Sequence, residues 1–516
     1  MAASRRDLLM HLAATAGWAV ALGASKALGM DLANTPPQAA KLDLPRDLGK
    51  GRKVVILGAG IAGMVSALEL SKAGFEVQVL EARERVGGRN WTLRGGDRID
   101  YLDGSSQAVG FDKGVYMNAG PARLPGWHRT ILTYCKELGV ELQPMVNANR
   151  SALMLPRAAG QPPVRLRQVV NDSRGMIGEL LAKSIKRGAL DQDLTAADRA
   201  MITNFLGAWA EIRPDGTYKG SERSGFKVWP GAGDVGPTHI DPLPMKDIFD
   251  PQTWEALLFE ELVEFQPTMM QPVGGMDRIA MAFGAKLKGK IRHGAEVISI
   301  DNREGGVEVT WKDRKTGKVS VTTADQAIVT IPLSVLAGIK TNLPADISAA
   351  ITRTRYESSV KTGWQSPRFW EDQGIYGGIS YTSDLINHVW YPSAGFHNDT
   401  GFLLGCYNYG PGADQYAAMT LEQQFAYSRA SIDRLHPGHG AGLTHPVSVA
   451  WKKIPFNQGP WVDWESGGPD YRLLNQPIGR VHLAGEHLSF ITSWQEGAAL
   501  SALRVVERLA GMAKAA

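Results

Sequence analysis

The sequence predicts an α/β (α+β) protein organised around a doubly wound, Rossmann-like dinucleotide-binding domain assembled from separated stretches of chain. Lys53–Leu57 reads as a short apolar strand, Ile61–Ala73 as a helix with apolar spacing at Ile61, Val65, Leu68 and Leu70, and Glu76–Leu80 as a second strand. This βαβ unit implies a parallel sheet with a right-handed crossover. A GxGxxG stretch, Gly58-Ala59-Gly60-Ile61-Ala62-Gly63, lies where the first strand meets the helix. Far along the chain, a strand at Arg480–Ala484 and a helix at Ser493–Ala513 complete the pattern.

In order, residues 1–30 begin with Ser4-Arg5-Arg6 ahead of a short apolar stretch, which resembles a twin-arginine export signal. Leu8 and Met10 depart from that pattern, and a retained N-terminal helix is the other reading. Export implies a periplasmic or secreted protein, and its absence a cytoplasmic one. The stretch 12–23 is too short to span a bilayer, and no other segment is apolar enough. Residues 31–50 read as a linker or arm. Residues 50–90, 273–350 and 475–512 are assigned to the dinucleotide-binding domain. Residues 91–145 and 351–474 form a second domain with a mixed sheet, and 146–272 a helical domain, with helices at Arg174–Arg187 and Ala196–Glu211. Strand-like runs occur at Ala295–Ile300, Val307–Trp311, Val319–Thr323 and Ala327–Ile331.

With 44% hydrophobic and 21% charged residues, the balance is that of a soluble globular protein. A net charge of +4 without a basic run argues against nucleic acid as a partner. Cys135 and Cys406 supply neither a disulfide framework nor metal-ligand spacing, so no metal is expected.

In the GxGxxG turn the first glycine permits the tight turn, the second lets backbone approach a pyrophosphate, and the third lets helix pack on strand. The helix N-terminus attracts phosphate charge. Glu81, ending the second strand, is placed to accept hydrogen bonds from a ribose diol. A glycine-rich turn without ligand is the competing reading.

Next the chain reads Arg83-Glu84-Arg85-Val86-Gly87-Gly88-Arg89. An acidic strand end followed by Gly-Gly-Arg resembles the flavin-containing amine oxidase family, which includes monoamine, polyamine and L-amino acid oxidases. The resemblance implies FAD, held by Gly58, Gly60, Ile61, Ala62 and Gly63, by Glu81, Ala82 and Arg83, and by Gly88 and Arg89. Arg89 would lie near the pyrophosphate or flavin; a surface ion pair with Glu84 is its alternative. Val481–Glu486 and Ser493-Trp494-Gln495-Glu496-Gly497-Ala498 resemble the family's second FAD signature. This implies contacts from Gly485, Glu486, Trp494, Gln495 and Ala498. Val297 matches the position whose backbone contacts adenine. Pro460 stands where covalently flavinylated members carry cysteine, so FAD is expected without a covalent link.

Gly120-Pro121-Ala122-Arg123-Leu124-Pro125 resembles the GP-x-R-[LIV]-P stretch of the L-amino acid oxidases. There Gly120, Pro121 and Ala122 also border the cofactor, and the arginine binds the substrate carboxylate. A guanidinium fork matches a carboxylate with two parallel hydrogen bonds, and the prolines limit backbone freedom. An arginine paired with a buried acid is the alternative. Tyr391, in Trp390-Tyr391-Pro392, matches a tyrosine donating to the same carboxylate. Lys361 matches the lysine that holds a water near the flavin. Trp461 and Trp494 match the aromatic pair flanking the amine, with Ser493 beside them, although both tryptophans also fit core positions. The helical stretch is expected to roof the pocket, with Trp209 in contact with substrate and Phe205, Glu211 and Glu222 near it.

The implied activity is oxidative deamination of L-amino acids by FAD and dioxygen to a 2-oxo acid, ammonia and hydrogen peroxide, leaning to large apolar or aromatic side chains. The alternatives are an oxidase of basic amino acids, an amino-acid 2-monooxygenase releasing an amide, a polyamine or monoamine oxidase, and a non-catalytic FAD-binding redox sensor. A homodimer is expected from the family.

Overall fold

The computed structural model describes residues 39–156, 161–249 and 251–515. The twin-arginine stretch and the first part of the predicted linker, residues 31–38, lie outside the described residues. Lys53–Leu57 is the central strand of a five-stranded parallel sheet, ordered Ile291–Arg292, Glu76–Leu80, Lys53–Leu57, Gln326–Val329 and Val481–Leu483. Strands distant in sequence therefore meet as neighbours. The helix Ile61–Lys72 leaves the centre of this sheet, and every residue from Ile61 to Leu70 is buried. Such complete burial means that the helix is covered on all sides. The helix Gln495–Ala515 shares its apolar core, which includes Met64, Leu70, Ala499 and Val506.

Ala295–Arg303, Gly306–Asp313 and Val319–Ala324 are strands, as their alternation predicts, but they pair antiparallel in a separate sheet that Lys340–Thr341 joins in parallel. Only Gln326–Val329 joins the parallel sheet. A larger seven-stranded sheet is ordered Val164–Arg165, Leu153–Leu155, Gly378–Thr382, His388–Tyr391, Thr400–Tyr409, Ser359–Pro367 and Thr444–Ala450. Its core holds the fully buried Trp364, Trp370 and Tyr416.

The stretch 146–272 carries the helices Leu166–Lys186, Ala196–Trp209 and Pro251–Leu258, but it also gives strands to three sheets, one of them the pair Phe226–Val228 and Thr238–His239. Leu153–Leu155 and Val164–Arg165 extend the seven-stranded sheet, and Met269–Pro272 pairs with Leu142–Met145 and Leu124–Pro125. Pieces of two to four residues are too short to show alternation in sequence. The last pairing matters for the site. Met270 opposes Leu124 and Met269 opposes Pro125, which clamps the backbone just after Arg123. Among the described residues no helix is long and apolar enough to cross a membrane.

Candidate active site

A cavity of about 1030 Å³ is lined by residues from both the parallel sheet and the seven-stranded sheet. At one end lies the glycine turn. Gly58 has φ +105°, a left-handed conformation that suits glycine, and its amide donates to Leu80 O at 2.8 Å. A Cβ on Gly63 would stand 2.0 Å from Gly58 O, so Gly63 serves helix-to-turn packing and does not face the cavity. A Cβ on Gly60 would meet nothing within 4 Å, so its backbone borders open space on the cavity wall. The buried Glu81 carboxylate accepts from Ala59 N at 2.8 Å and Arg83 N at 2.9 Å. It thus braces the turn while lining the cavity.

Arg89 does not pair with Glu84. Its Nη1 donates to Glu486 Oε1 at 2.7 Å and Pro460 O at 2.8 Å. Glu486 Oε2 accepts from Ser493 N at 2.9 Å, so one carboxylate ties together both predicted signatures. The other predicted cofactor positions, Ile61, Ala62, Ala82, Arg83, Gly88, Gly120, Pro121, Ala122, Val297, Gly485, Gln495 and Ala498, all line the same cavity. Gln495 accepts from Asn90 at 2.7 Å through Oε1, while its buried Nε2 has no partner among the described residues. A glycine-walled space, a braced acid and an orphaned buried amide fit a large polar cofactor such as FAD. Cys135 and Cys406 are fully buried and do not line the cavity, so no described thiol can attach it. No described group of His, Cys, Asp and Glu is arranged to hold a metal ion.

The other end is a chamber of aromatic rings around two cations. Arg123 is buried, and its Nη1 donates to Asn147 Oδ1 at 2.7 Å. Asn147 is itself fixed by donating to Phe265 O at 3.1 Å. The guanidinium lies 4.4 Å from the Phe265 ring centre, 4.7 Å from Trp390, 5.2 Å from Phe259 and 5.8 Å from Trp494. No described carboxylate forms an ion pair with it. Burial pulls its pKa down to about 10, a shift that neighbouring tyrosines oppose. Lys361 Nζ donates to Gly120 O and, at 3.2 Å, to Asn118 O, and it sits 4.8 Å from the Tyr407 ring centre. Burial, then the charge of Arg123, pulls Lys361 down to about 7.

Ser493, Trp461 and Trp494 line the cavity, and Trp494 is buttressed edge-on by His128 at 4.9 Å. Tyr391 does not line it. Its hydroxyl bonds Ser380 Oγ at 2.7 Å and His436 Nε2 at 2.6 Å, on the opposite face of the sheet. The reason is strand alternation: in His388–Tyr391 adjacent side chains point to opposite faces, and His388 and Trp390 take the cavity face. Trp209 is also absent from the cavity. It stacks on the exposed Phe205 at 5.7 Å, Glu211 pairs with Arg223 at 3.0 Å, and Glu222 is exposed. The roof comes instead from the helix Pro251–Leu258 and the turn after it, through Trp254, Glu255, Leu258, Phe259, Leu262 and Phe265.

Sequence reasoning missed Asn147, Phe259, Phe265, Trp390, Tyr407, Tyr409 and Glu255. For Trp390 and Tyr407 the signal was available, because period-two registry with a known cavity residue fixes the face. For Glu255 none was, since Glu260 and Glu261 lie close by in the same acidic stretch.

The chain matches the family model described as flavin containing amine oxidoreductase over residues 61–214 and 242–510. It is 28% identical to a flavin-dependent L-tryptophan oxidase of Lentzea aerocolonigenes, covering 89% of this chain and 98% of that protein. A putative L-amino-acid oxidase of Bacillus subtilis is also 28% identical, over 88% of this chain and 94% of that one. Among solved structures, cyclohexylamine oxidase from Brevibacterium oxydans superposes with TM-score 0.60 at 17% identity, covering 90% of this chain and 99% of that chain. Putrescine oxidase bound to putrescine gives 0.58 at 20% identity, over 89% and 98%. These two show the shared fold.

Proposed function

The chain belongs to the flavin-containing amine oxidoreductase family, a family of FAD enzymes, and from that premise we propose that it oxidises L-α-amino acids with dioxygen to 2-oxo acids, ammonia and hydrogen peroxide. The unpaired guanidinium of Arg123 carries this reading. A buried cation without an anion is costly, and the cavity it faces is where an anion enters. A simple amine brings no anion; an α-amino acid brings a carboxylate, which the guanidinium fork grips with two bonds. Asn147 and the surrounding rings hold the fork before substrate arrives, so binding energy goes into orientation.

FAD bound at the glycine end supplies a two-electron acceptor that dioxygen can reoxidise. The chain's own groups do the rest. The rings of Phe259, Phe265, Trp390 and Trp494 exclude water, so an entering ammonium loses its proton readily. Lys361, drawn down to about 7, exchanges a proton at Nζ near neutral pH. The aromatic roof suits large side chains, and the likeness to a tryptophan oxidase supports that size class.

A peroxide assay across L- and D-amino acids and their decarboxylated amines, with products identified, tests the reading. L-amino acids are expected to yield 2-oxo acid and peroxide, with D-isomers and amines inert. Oxidation of phenethylamine in preference to L-phenylalanine would remove Arg123 from substrate binding, and an amide with carbon dioxide would make the enzyme a monooxygenase.

A further inference from the structure

We propose that Glu255 selects basic side chains, so that the preferred substrates are L-amino acids ending in a guanidinium or ammonium, such as arginine and lysine. This rests on the L-amino acid reading above. At the chamber end of the cavity, Glu255 is the described acid that lines the wall; Glu81, Glu296 and Glu486 lie at the cofactor end. Its side chain keeps 33% of its surface open, on a roof otherwise built from Trp254, Leu258, Phe259 and Leu262.

Both close contacts of this carboxylate fall on Oε1. Tyr409 donates its hydroxyl there, and His388 Nε2 stands 3.0 Å away without pointing its N–H along that line. Oε2 has no hydrogen-bond partner among the described residues. An ionised carboxylate offers about four acceptor sites, so this one is left able to take a donor from the cavity. Burial pushes its pKa up, but His388 and the Tyr409 hydroxyl outweigh that and hold the carboxyl below its ordinary value. A fixed anion therefore faces an apolar chamber that already contains the two cations Arg123 and Lys361.

One substrate shape satisfies these charges together. Its carboxylate pairs with Arg123, its long aliphatic stem lies along Phe259, Trp390 and Tyr407, and its terminal cation meets Glu255. A planar guanidinium also stacks on aromatic faces, which Tyr407 and Tyr409 offer. Leucine or phenylalanine would fit the walls but leave the acid desolvated against carbon, which disfavours them.

The test compares kcat/KM for L-arginine and L-lysine with L-leucine and L-phenylalanine in the wild-type holoenzyme and in Glu255→Gln. The wild type is expected to favour basic substrates, and the variant to reduce the basic-to-neutral ratio on the order of 10- to 100-fold. A second measurement avoids turnover. 5-Guanidinopentanoate, which lacks the α-amine, should bind more tightly than hexanoate by tryptophan fluorescence, and Glu255→Gln should erase that advantage. A wild-type preference for neutral substrates, or a ratio that Glu255→Gln leaves unchanged, overturns the proposal and leaves Glu255 a brace for Tyr409. If neutral L-amino acids are oxidised without basic preference, only this inference falls. If no L-amino acid is oxidised and decarboxylated amines are, both readings fall.

Discussion

The two ends of the cavity are built on opposite electrostatic plans. At the glycine end both buried acids already have their partners: Glu81 accepts from two backbone amides, and Glu486 is paired with Arg89 and bonded to Ser493 N. At the chamber end Arg123 faces aromatic rings with one amide oxygen for company, and Lys361 has only carbonyls and rings. The first end is satisfied by the protein itself and can hold a resident group permanently. The second keeps its charges uncompensated, so that a transient ligand completes it. Under the proposed function, exchange of substrate and retention of cofactor follow from this difference.

The largest expected effect breaks the satisfied end. Glu486→Ala leaves the Arg89 guanidinium buried and unpaired, which costs ~3–5 kcal/mol. The variant should lose FAD on gel filtration and unfold at a lower temperature; full flavin content and an unchanged Tm would contradict the plan. Arg123→Ala acts at the unsatisfied end. It should lower kcat/KM for L-amino acids by about 100- to 1000-fold, or ~3–4 kcal/mol, while flavin content stays normal and Tm falls less than in Glu486→Ala. Equal losses of stability in the two variants would erase the contrast.

Lys361→Met gives a smaller, pH-dependent signal. The folded-state pKa of Lys361, about 7, lies below its ordinary 10.5, so between these values the unfolded chain binds more protons. Stability therefore rises with pH across that window, and the full destabilisation by a buried ammonium is felt below about 7. Replacing the lysine should raise Tm most near pH 6, with the gain shrinking towards pH 10. A gain independent of pH would argue against the downward shift. The smallest effect is that of Tyr391→Phe. It removes hydrogen bonds to Ser380 and His436 on the far face of the sheet and should cost ~1–2 kcal/mol of stability with kcat/KM changed less than about threefold. A large kinetic loss would return Tyr391 to the substrate.

The same contrast explains what could be read from sequence. The cofactor end is written in contiguous motifs, because a glycine turn must carry its three glycines at fixed spacing to bend, approach and pack. The turn at 58–63 could therefore be placed by local pattern, and 81–89 and 485–498 through the family resemblance; each stretch gives residues to one cavity wall. Arg123 was legible through the resemblance of Gly120–Pro125 to a family stretch, with the flanking prolines marking a stiffened backbone. The rest of the chamber comes from segments with no local signature. Trp390 and Tyr391 differ only in strand phase, and a one-position choice reverses the face. Trp209 and Trp254 both sit on helices of the same stretch, and which helix covers the cavity depends on tertiary packing that periodicity does not encode. Glu255 carries no local mark, and its place is defined by the side chains of Tyr409 and His388, distant in sequence, that converge on it.

The bond between Arg89 and Glu486 joins positions 397 apart in sequence. During synthesis the glycine turn leaves the ribosome long before its distant counterpart exists, and contacts of such separation form late. Flavin loading is accordingly an act of the nearly finished polypeptide, and until then the nascent N-terminal half must stay soluble without the ligand that will later anchor it.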